Sequence, residues 1–514
     1  MGLMNAADRR FAQLVAELVG CNPFVARRIE LERQALGRAF LERDADWNLR
    51  STPSEEAPNV RQLVERVDAF VELLRDRLAR GVNAEAADRD LYESLVWFAM
   101  FHRFRDGFDA MIASEEAGAR AGGRTAMYEP FARTATRLLS VGASPGGPGD
   151  APGGVVAHLF AICFQVRRAF HYIFRWIVGA SGPSVRLRAA VWQSVFTHDL
   201  HRYRRLLYRH MADFTTLITG PSGTGKELVA RAVGLARYVP FDEAGRRFAE
   251  GYRDSFLPLN ISAMSPTLVE SELFGHRRGA YTGAVAERVG WLESCPDLGT
   301  VFLDEVGEIE PAIQVKLLRV LQTRGFHRLG ETRERRFRGK LLAATNRDLP
   351  SEMDRGRFRG DLYYRLCSDI IVTPSLREQL DDEPDDLNHL VHAICRRLLG
   401  DEAERVSGGI IDYIRREFAD HAWPGNIREL EQCVRNVLVR GSYRPATPQA
   451  AGDPERRFCD DLAHARLTAE QVLSGYCKIV HRRLGSYEAS ARALGLDRRT
   501  VKAKVLAASA GGKA

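Results

Sequence analysis

The 514-residue sequence lacks several features that would assign it to a familiar class of protein. Its eight cysteines include no Cys-x-x-Cys pair and no zinc-type spacing, which predicts free thiols in a reducing cytoplasm and no structural metal. The first twenty residues carry acidic side chains and no clean apolar segment, so no secretory signal peptide is expected. Internal repeats are also missing, which argues against a solenoid or a propeller.

Long apolar runs and a large excess of one charge are absent as well. The most apolar stretch begins at Val155 but is interrupted by Arg167, Arg168 and Arg175. Because charges inside a bilayer are costly, this stretch is typical of a buried helix, and no membrane partner is expected. The 74 Lys and Arg against 67 Asp and Glu give a net charge of +7, which permits a nucleic-acid partner without requiring one.

A chain of this length is expected to contain several domains. Residues 141–154 and 442–457 are rich in Gly, Pro and Ala and are predicted linkers. Residues 1–140 are predicted to be a helical regulatory region, because apolar residues recur there at three- and four-residue steps; the ligand of this region cannot be predicted. Residues 155–210 are predicted to be a helical connector.

The middle of the chain predicts a nucleotide-binding α/β domain. Residues 211–380 alternate short β-branched runs with helical patterns, as in a parallel sheet with helical crossovers, and residues 381–441 predict a helical lid. A strand, a glycine-rich turn and a helix follow one another with the phosphate-loop spacing G-x-x-x-x-G-K. The backbone N–H groups of this turn would cradle phosphate oxygens of ATP. The predicted ATP-binding residues of the turn are Gly220, Pro221, Ser222, Gly223, Thr224, Gly225, Lys226 and Glu227.

Polar residues at the ends of later strands predict the chemistry of this site. Asp304 and Glu305 follow an apolar strand, where Asp304 would bind Mg²⁺ and Glu305 would polarise the attacking water. Thr345 and Asn346 end the next strand and would contact the γ-phosphate or the water, with a simple helix cap as the alternative.

Arginines near the end of the sheet predict stabilisation of charge during hydrolysis. Arg359 and Arg365 would reach the nucleotide of a neighbouring subunit, and Arg428 would close over bound nucleotide from the lid. For any single arginine, surface solubility is the alternative.

The last segment, residues 458–514, predicts a helix-turn-helix domain. One helix is expected at 487–494, Gly495 breaks it, and Asp497 would cap a second helix that begins near Arg498. Eight Lys and Arg against two acidic residues give residues 478–504 a charge of +6, which favours binding to double-stranded DNA over a purely dimerising hairpin. The predicted DNA-binding residues are Arg498, Arg499, Thr500, Lys502 and Lys504.

One segment has no role in such a nucleotide site. Residues 279–284 read GAYTGA, which contains no carboxylate and no metal ligand and is too rich in glycine for the interior of a helix or strand. With GTGKELVARAV, GTVFLDEVGEI, FRGDLYYRL and WPGNIREL, it closely resembles the AAA+ domain of the sigma-54-dependent transcriptional activators, or bacterial enhancer-binding proteins. The resemblance covers about Met211 to Gly441 and the C-terminal segment.

The resemblance implies an AAA+ α/β ATPase core with a helical lid, flanked by a helical N-terminal region and a Fis-type helix-turn-helix. It implies a cytoplasmic homo-oligomer, from dimer to hexameric ring, that hydrolyses ATP with Mg²⁺ and acts on sigma-54 and RNA polymerase from upstream DNA. Two other functions stay open: an AAA+ ATPase that remodels another client, and a DNA-binding repressor that binds ATP without turnover.

The resemblance also implies roles for single residues. Asn260 would couple the nucleotide state to the GAYTGA loop by pairing with Glu305. Arg428 would be the second of two residues that sense the bound nucleotide, after Thr345 and Asn346 as the first sensor. Phenylalanine is the usual residue at the position of Tyr281, and a glutamate is common at that of Pro221, which indicates a divergent branch. The loop residues implied to contact sigma-54 are Gly279, Ala280, Tyr281, Thr282, Gly283 and Ala284.

Overall fold

The computed structural model describes residues 2–45, 57–118, 123–140, 152–281, 284–445, 458–459, 462 and 467–510. Residues 141–151 and 446–457, which make up most of the two predicted linkers, lie outside the described residues. The chain divides into two compact units, Met1–Val439 and Arg440–Ala514.

Helices form the described chain ahead of the first strand. Helix α3 has the expected amphipathic pattern, because Leu63, Val67, Val71 and Leu74 are all buried along one face. None of the described helices is long and apolar enough to cross a membrane. The helices are α1 (Ala6–Gly20), α2 (Ala26–Leu36), α3 (Pro58–Ala79), α4 (Ala86–Arg103), α5 (Arg105–Glu116), α6 (Tyr128–Leu139), α7 (Pro152–Trp176), α8 (Gly182–Phe196) and α9 (Leu200–Arg205).

The strands that follow are β1 (Thr216–Thr219), β2 (Phe241–Asp242), β3 (Arg247–Phe248), β4 (Phe256–Asn260), β5 (Gly275–His276), β6 (Arg288–Val289), β7 (Thr300–Asp304), β8 (Gly325–Phe326), β9 (Arg335–Arg336), β10 (Lys340–Thr345) and β11 (Asp369–Val372). Five of these described strands form a parallel sheet in the order β11-β1-β10-β7-β4. Their pairing brings Asn260 opposite Asp304 and Thr219 opposite Thr345. The carboxyl ends of the strands, and the predicted polar residues there, therefore meet at one edge.

Helices surround this sheet and continue beyond it. They are α10 (Lys226–Leu235), α11 (Pro266–Phe274), α12 (Trp291–Ser294), α13 (Pro311–Thr323), α14 (Leu349–Asp354), α15 (Gly360–Leu366), α16 (Leu376–Asp382), α17 (Asp386–Leu399), α18 (Ala403–Glu417) and α19 (Asn426–Arg440). Helices α16 to α19 form the lid, which begins directly after the last strand of the sheet. The fold is a parallel α/β core with added helical regions, as the sequence predicted.

The N-terminal helices share a hydrophobic core with one face of the sheet. Phe24 and Phe160 from the helices belong to the same buried cluster as Ile218, Phe302 and Leu342 from the strands. A second cluster fills the other face of the sheet. The helical region is thus packed onto the α/β core as part of one unit.

An arginine inside the apolar helix α7 helps to hold this helix against the α/β core. Arg168 is 1% exposed and donates hydrogen bonds to the carbonyl oxygens of Leu235, at 2.8 Å, and Arg237, at 2.6 Å. Its guanidinium also lies 4.4 Å from the ring centre of Tyr252. Burial of this charged group is tolerated because backbone carbonyl oxygens at the end of α10 accept hydrogen bonds from its guanidinium.

The second unit is described by itself. Its helices α20 (Ala469–Leu484), α21 (Tyr487–Leu494) and α22 (Arg498–Ala510) pack around Cys477, Ala491, Val501 and Val505. Gly495 has a φ of 64° between the last two helices, a conformation that favours glycine.

Candidate functional site

The glycine-rich turn between β1 and α10 has the backbone shape of a phosphate loop. Gly220, Gly223 and Gly225 have φ values of 144°, 79° and 89°, which residues with a side chain rarely adopt. The Nζ of Lys226 donates to the carbonyl oxygens of Gly220 and Pro221, each at 3.0 Å. Desolvation lowers the pKa of Lys226, while Glu305 and Asp304 oppose this shift. The lysine therefore lies within the field of both carboxylates.

Asp304 and Glu305 lie side by side after β7. Burial, and next the charge of Glu305, raise the pKa of Asp304. Glu305 has a φ of 57° and a ψ of 48°, and its N–H donates to Asp304 Oδ1 at 3.1 Å. This left-handed conformation is rare for a residue with a side chain and is found where function constrains the backbone.

The structure gives Asn260 a different partner from the one that the resemblance implied. Its Nδ2 donates to Asp304 Oδ2 at 3.4 Å rather than to Glu305. The carboxylate of Glu305 instead accepts a hydrogen bond from the backbone N–H of Asn346 at 3.2 Å. The cause is strand register, because β4 and β7 pair Asn260 directly with Asp304, while the chain turns away at Glu305.

Thr345 and Asn346 have different surroundings at the end of β10. Thr345 is fully buried, and its hydroxyl accepts the N–H of Arg347 at 3.1 Å. That contact is the one expected of a turn-stabilising threonine. Asn346 is exposed next to Glu305, so its side chain is accessible at the edge of the sheet.

The lid contacts the phosphate loop directly at the start of α19. Arg428 Nη1 lies 3.4 Å from Ser222 Oγ, and the N–H of Arg428 donates to the carbonyl oxygen of Gly223 at 3.2 Å. A Cβ on Gly223 would lie only 2.2 Å from the carbonyl oxygen of Gly425, so glycine is required for this approach. Arg428 is thus positioned beside the predicted phosphate site, and its guanidinium is exposed.

Asn426 is a site residue that sequence analysis missed. It is 4% exposed, its Nδ2 donates to the carbonyl oxygen of Ser222 at 2.9 Å, and its Oδ1 accepts the N–H of Leu376 at 2.8 Å. One side chain therefore ties the phosphate loop to both ends of the lid. The sequence signal was the segment WPGN, which is rich in turn-forming residues. Asparagine also tolerates the left-handed region in which Asn426 has its φ of 53°.

Arg359 and Arg365 are not brought to the nucleotide edge of their own chain by any contact of the described residues. Arg359, which precedes α15, forms two hydrogen bonds with Asp361, at 3.0 and 2.8 Å. Arg365 is exposed near the end of α15. The nearby Arg357 is bound to Glu352 at 2.6 Å. Exposed arginines at this surface are compatible with action on a neighbouring subunit.

The GAYTGA segment connects the short strands β5 and β6. Gly279 has a φ of 80°, and its N–H donates to the carbonyl oxygen of Ala284 at 2.9 Å. Ala280 packs against Gly330, and the ring of Tyr281 lies 5.1 Å from that of His276. Thr282 and Gly283 lie outside the described residues.

Charged pairs fix the base of this loop to the β8–β9 hairpin. Arg328 is 6% exposed and binds both carboxylate oxygens of Glu293, at 2.7 and 2.8 Å. Arg328 also pairs with Glu287, and Arg335 pairs with Glu293 and Glu331. Because α13 joins this hairpin to the segment after Asp304, the loop base and the acidic pair belong to one continuous structure.

The C-terminal unit exposes most of its predicted DNA-binding residues on one helix. Arg498, Arg499, Thr500 and Lys502 are exposed at the start of α22, where the Asp497 carboxylate accepts the Arg499 N–H at 2.6 Å. Lys504 differs, because its Nζ pairs with Glu470 of α20 at 2.9 Å. That lysine stabilises helix packing within the unit in this structure.

Comparison with known families identifies the central domain. The family described as "Sigma-54 interaction domain" matches residues 194–371. Residues 194–371 are therefore similar to a sigma-54 interaction domain. The matched range includes the phosphate loop, the acidic pair, the GAYTGA segment, Arg359 and Arg365, and it ends within β11.

Relatives of the sigma-54 interaction domain are transcriptional regulators by name. The chain is 41% identical to the Nif-specific regulatory protein of Azotobacter vinelandii, over 49% of this chain and 47% of that protein. It is 40% identical to the hydrogenase transcriptional regulatory protein HoxA of Bradyrhizobium diazoefficiens, over 51% of this chain and 50% of that protein. It is 36% identical to the transcriptional regulatory protein ZraR of Escherichia coli, over 57% of this chain and 63% of that protein. The chain spans about half the length of the first two of these relatives.

Solved structures give weaker similarities. NtrX from Brucella abortus is 23% identical with a TM-score of 0.38, over 73% of this chain and 80% of that one. Hsp104 from S. cerevisiae is 14% identical with a TM-score of 0.36, over 73% of this chain and 63% of that one.

Proposed function

We propose that this protein is an ATP-hydrolysing transcription activator that acts on sigma-54 and its RNA polymerase. The observation that carries the proposal is the carboxyl edge of the sheet, where the phosphate loop with Lys226 follows β1 and the acidic pair Asp304 and Glu305 follows β7. Within the same matched domain, the GAYTGA segment is anchored on a hairpin that α13 connects to the acidic pair. The presence of a nucleotide site and a contact loop in one domain supports the proposal that ATP hydrolysis moves the loop.

The side chains at the site fit a magnesium ion that arrives with ATP. Two adjacent carboxylates with a raised pKa at Asp304 favour a nearby cation. Among the described residues, no group of three or more His, Cys, Asp or Glu could hold a metal by itself. That agrees with Mg²⁺, which usually takes one or two carboxylates together with phosphate oxygens and water. Asp304 would hold the ion, which supplies charge neutralisation for the phosphates.

Each other residue of the site then has a stated task. Lys226 neutralises the β- and γ-phosphates, Glu305 orients and polarises the attacking water, and Asn346 lies beside that carboxylate. Arg428 and Asn426 hold the lid against the phosphate loop. Arg359, just before α15, and Arg365 within it are exposed and would complete the site of an adjacent subunit in a homo-oligomeric ring.

The loop and the C-terminal unit provide the two contacts with transcription. Tyr281 and the neighbouring small residues offer a flexible aromatic surface for sigma-54, and the exposed basic start of α22 suits the major groove of upstream DNA. Arginines at the start of a second helix can contact both phosphates and base edges.

Two variants separate the nucleotide site from the loop. Lys226→Ala should abolish ATP hydrolysis, while Lys316→Ala, which changes an exposed lysine on α13, should retain it. Thr282→Ala should keep ATP hydrolysis within about twofold and lower open-complex formation by sigma-54 polymerase at least about a hundredfold. Val285→Ala, at a position that is 79% exposed beside the loop, is the matched control and should support normal open complexes.

The outcomes also distinguish the alternative functions. Full ATP hydrolysis in Lys226→Ala would disprove the proposed site. A wild-type protein that binds ATP and DNA but never hydrolyses ATP would instead be a repressor. Hydrolysis without any retention of sigma-54 in a transition-state nucleotide complex would indicate another client.

A further inference from the structure

We infer that a cavity between the N-terminal helices and α9 is a binding site for a small organic anion with an apolar body. The cavity has a volume of ≈ 530 Å³ and is lined by α4, α6, α7 and α9. Sites for small molecules typically occupy roughly 300–1,000 Å³. This one lies apart from the phosphate loop, and its existence does not rest on the proposed function.

Arg204 contributes a guanidinium to the cavity, which Arg89 and Arg205 also line. No described carboxylate forms an ion pair with Arg204, and Glu93, which also lines the cavity, acts on it only at longer range. Arg205 at the wall differs, because it is exposed and pairs with Asp90 at 3.4 Å. Burial lowers the pKa of Arg204, but a guanidinium keeps its charge in proteins. A largely covered charge without a carboxylate partner favours an anionic ligand.

The remaining wall is mostly apolar. Val96, Leu159 and Ile162 supply aliphatic surface, and the Trp97 ring lies 5.8 Å from the Arg204 guanidinium. The indole N–H of Trp97 is buried and has no hydrogen-bond acceptor among the described residues. A buried donor without an acceptor is costly, so an oxygen atom of a ligand would stabilise it. Together the wall and the arginine select a carboxylate or sulfonate on an aromatic or branched aliphatic body.

The cavity is connected to the phosphate-loop helix by hydrogen bonds. His158 of α7 also lines the cavity, and its Nε2 lies 2.8 Å from the carbonyl oxygen of Arg204. Its Nδ1 lies 2.8 Å from the hydroxyl of Tyr238, three residues beyond the end of α10. A ligand that moves Arg204 therefore acts on the helix that begins at Lys226.

The position of the cavity fits a sensor. Most of its lining residues precede residue 194, where the match to the sigma-54 interaction domain begins, whereas Arg204 and Arg205 lie inside the matched range. The ligand would thus contact both the helices outside the matched range and the first residues inside it.

The test uses 2-naphthoate as the probe and neutral 2-naphthalenemethanol as its uncharged counterpart, with binding to the full chain measured by calorimetry. Naphthoate should bind saturably to the unaltered protein, and Arg204→Gln should weaken it about tenfold or more, because a charge-assisted hydrogen bond is lost. The alcohol should bind both proteins with affinities within about twofold of each other. Arg202→Gln, which changes an exposed arginine on the same helix outside the cavity, should bind naphthoate normally.

A second variant tests the site without removing its charge. Leu139→Trp at the cavity wall should block both probes by occupying the space. Thermal unfolding within a few degrees of the parent would show that both variants are folded. The inference is overturned if naphthoate shows no saturable binding up to 10 mM, if folded Arg204→Gln binds it as well as the parent does, or if Arg202→Gln weakens it equally. Failure here leaves ATP hydrolysis and the effect of Lys226→Ala unchanged, so the two proposals fail separately.

Discussion

Replacement of Asn426 tests whether one buried amide couples the phosphate loop to the lid. Asn426→Gly removes hydrogen bonds of 2.9 Å to Ser222 and 2.8 Å to Leu376 but permits the φ of 53°. Two lost hydrogen bonds, with a buried N–H left unpaired at Leu376, predict a loss of about 2–4 kcal/mol. Asn426→Ala should lose about 0.5–1 kcal/mol more, because the cost of a left-handed alanine exceeds the entropy cost of glycine.

The assay combines urea unfolding with hydrogen exchange of the peptide that contains Leu376. A local loss of about 2 kcal/mol predicts about 30-fold faster exchange at the Leu376 N–H in Asn426→Gly. The matched control is the same pair of substitutions at Asn436, which lies in the interior of the same helix. The Asn436→Gly variant should be less stable than Asn436→Ala by about 1 kcal/mol. If glycine were also the less stable replacement at 426, or if exchange at Leu376 did not change, the proposed tie would be refuted.

Two further predictions concern the helical region. Burial and nearby arginines lower the pKa of His102 to about 3. The unfolded chain therefore binds a proton at this residue below pH ~6.5 that the folded chain does not, so His102 alone should cost about 1.4 kcal/mol of stability when the pH falls from about 7.5 to 5.5. In urea unfolding at the two pH values, the loss should be smaller by this amount in His102→Phe than in the parent or in His198→Phe, and His201, whose pKa burial also lowers, accounts for a remaining loss. The fully buried Asp386 accepts the N–H groups of residues 180 and 181, so Asp386→Asn should destabilise the protein by about 1–3 kcal/mol in the same assay, and equal loss in the exposed Asp385→Asn would contradict this explanation.

Local motifs were sufficient to predict the α/β core and to select most candidate residues of the nucleotide site. The phosphate loop needs a strand, a glycine-rich turn and a helix in immediate succession, and these are written in adjacent residues. The partner of Asn260 was not predictable in this way, because it depends on the register between β4 and β7. Asn426 was missed for a related reason: its two partners, Ser222 and Leu376, are distant in sequence, and only the folded lid brings them together.

The relation between the N-terminal helices and the ATPase core also depends on distant contacts. The Gly/Pro-rich stretch after Leu139 predicts a boundary, yet α7 beyond it and the helices before it share one hydrophobic core with the strand residues Ile218 and Phe302. Arg168 in α7 was a signal of this packing, since a buried arginine needs oxygen atoms, and it finds them at the end of α10.

This packing determines how a signal from the helical region can reach the nucleotide. Removal of the chain before Arg186 would strip α7 from the sheet and leave the carbonyl oxygens at Leu235 and Arg237 without the buried guanidinium that they bind. Such a truncation would therefore expose a face of the core rather than release a brake. In the proposed function, regulation through these helices would act by small shifts within a shared core. The contacts of Asp386 with residues 180 and 181 extend the same packing to helix α17. Substitutions at single contacts, rather than deletion of the region, are the appropriate way to separate control of the ATPase from its stability.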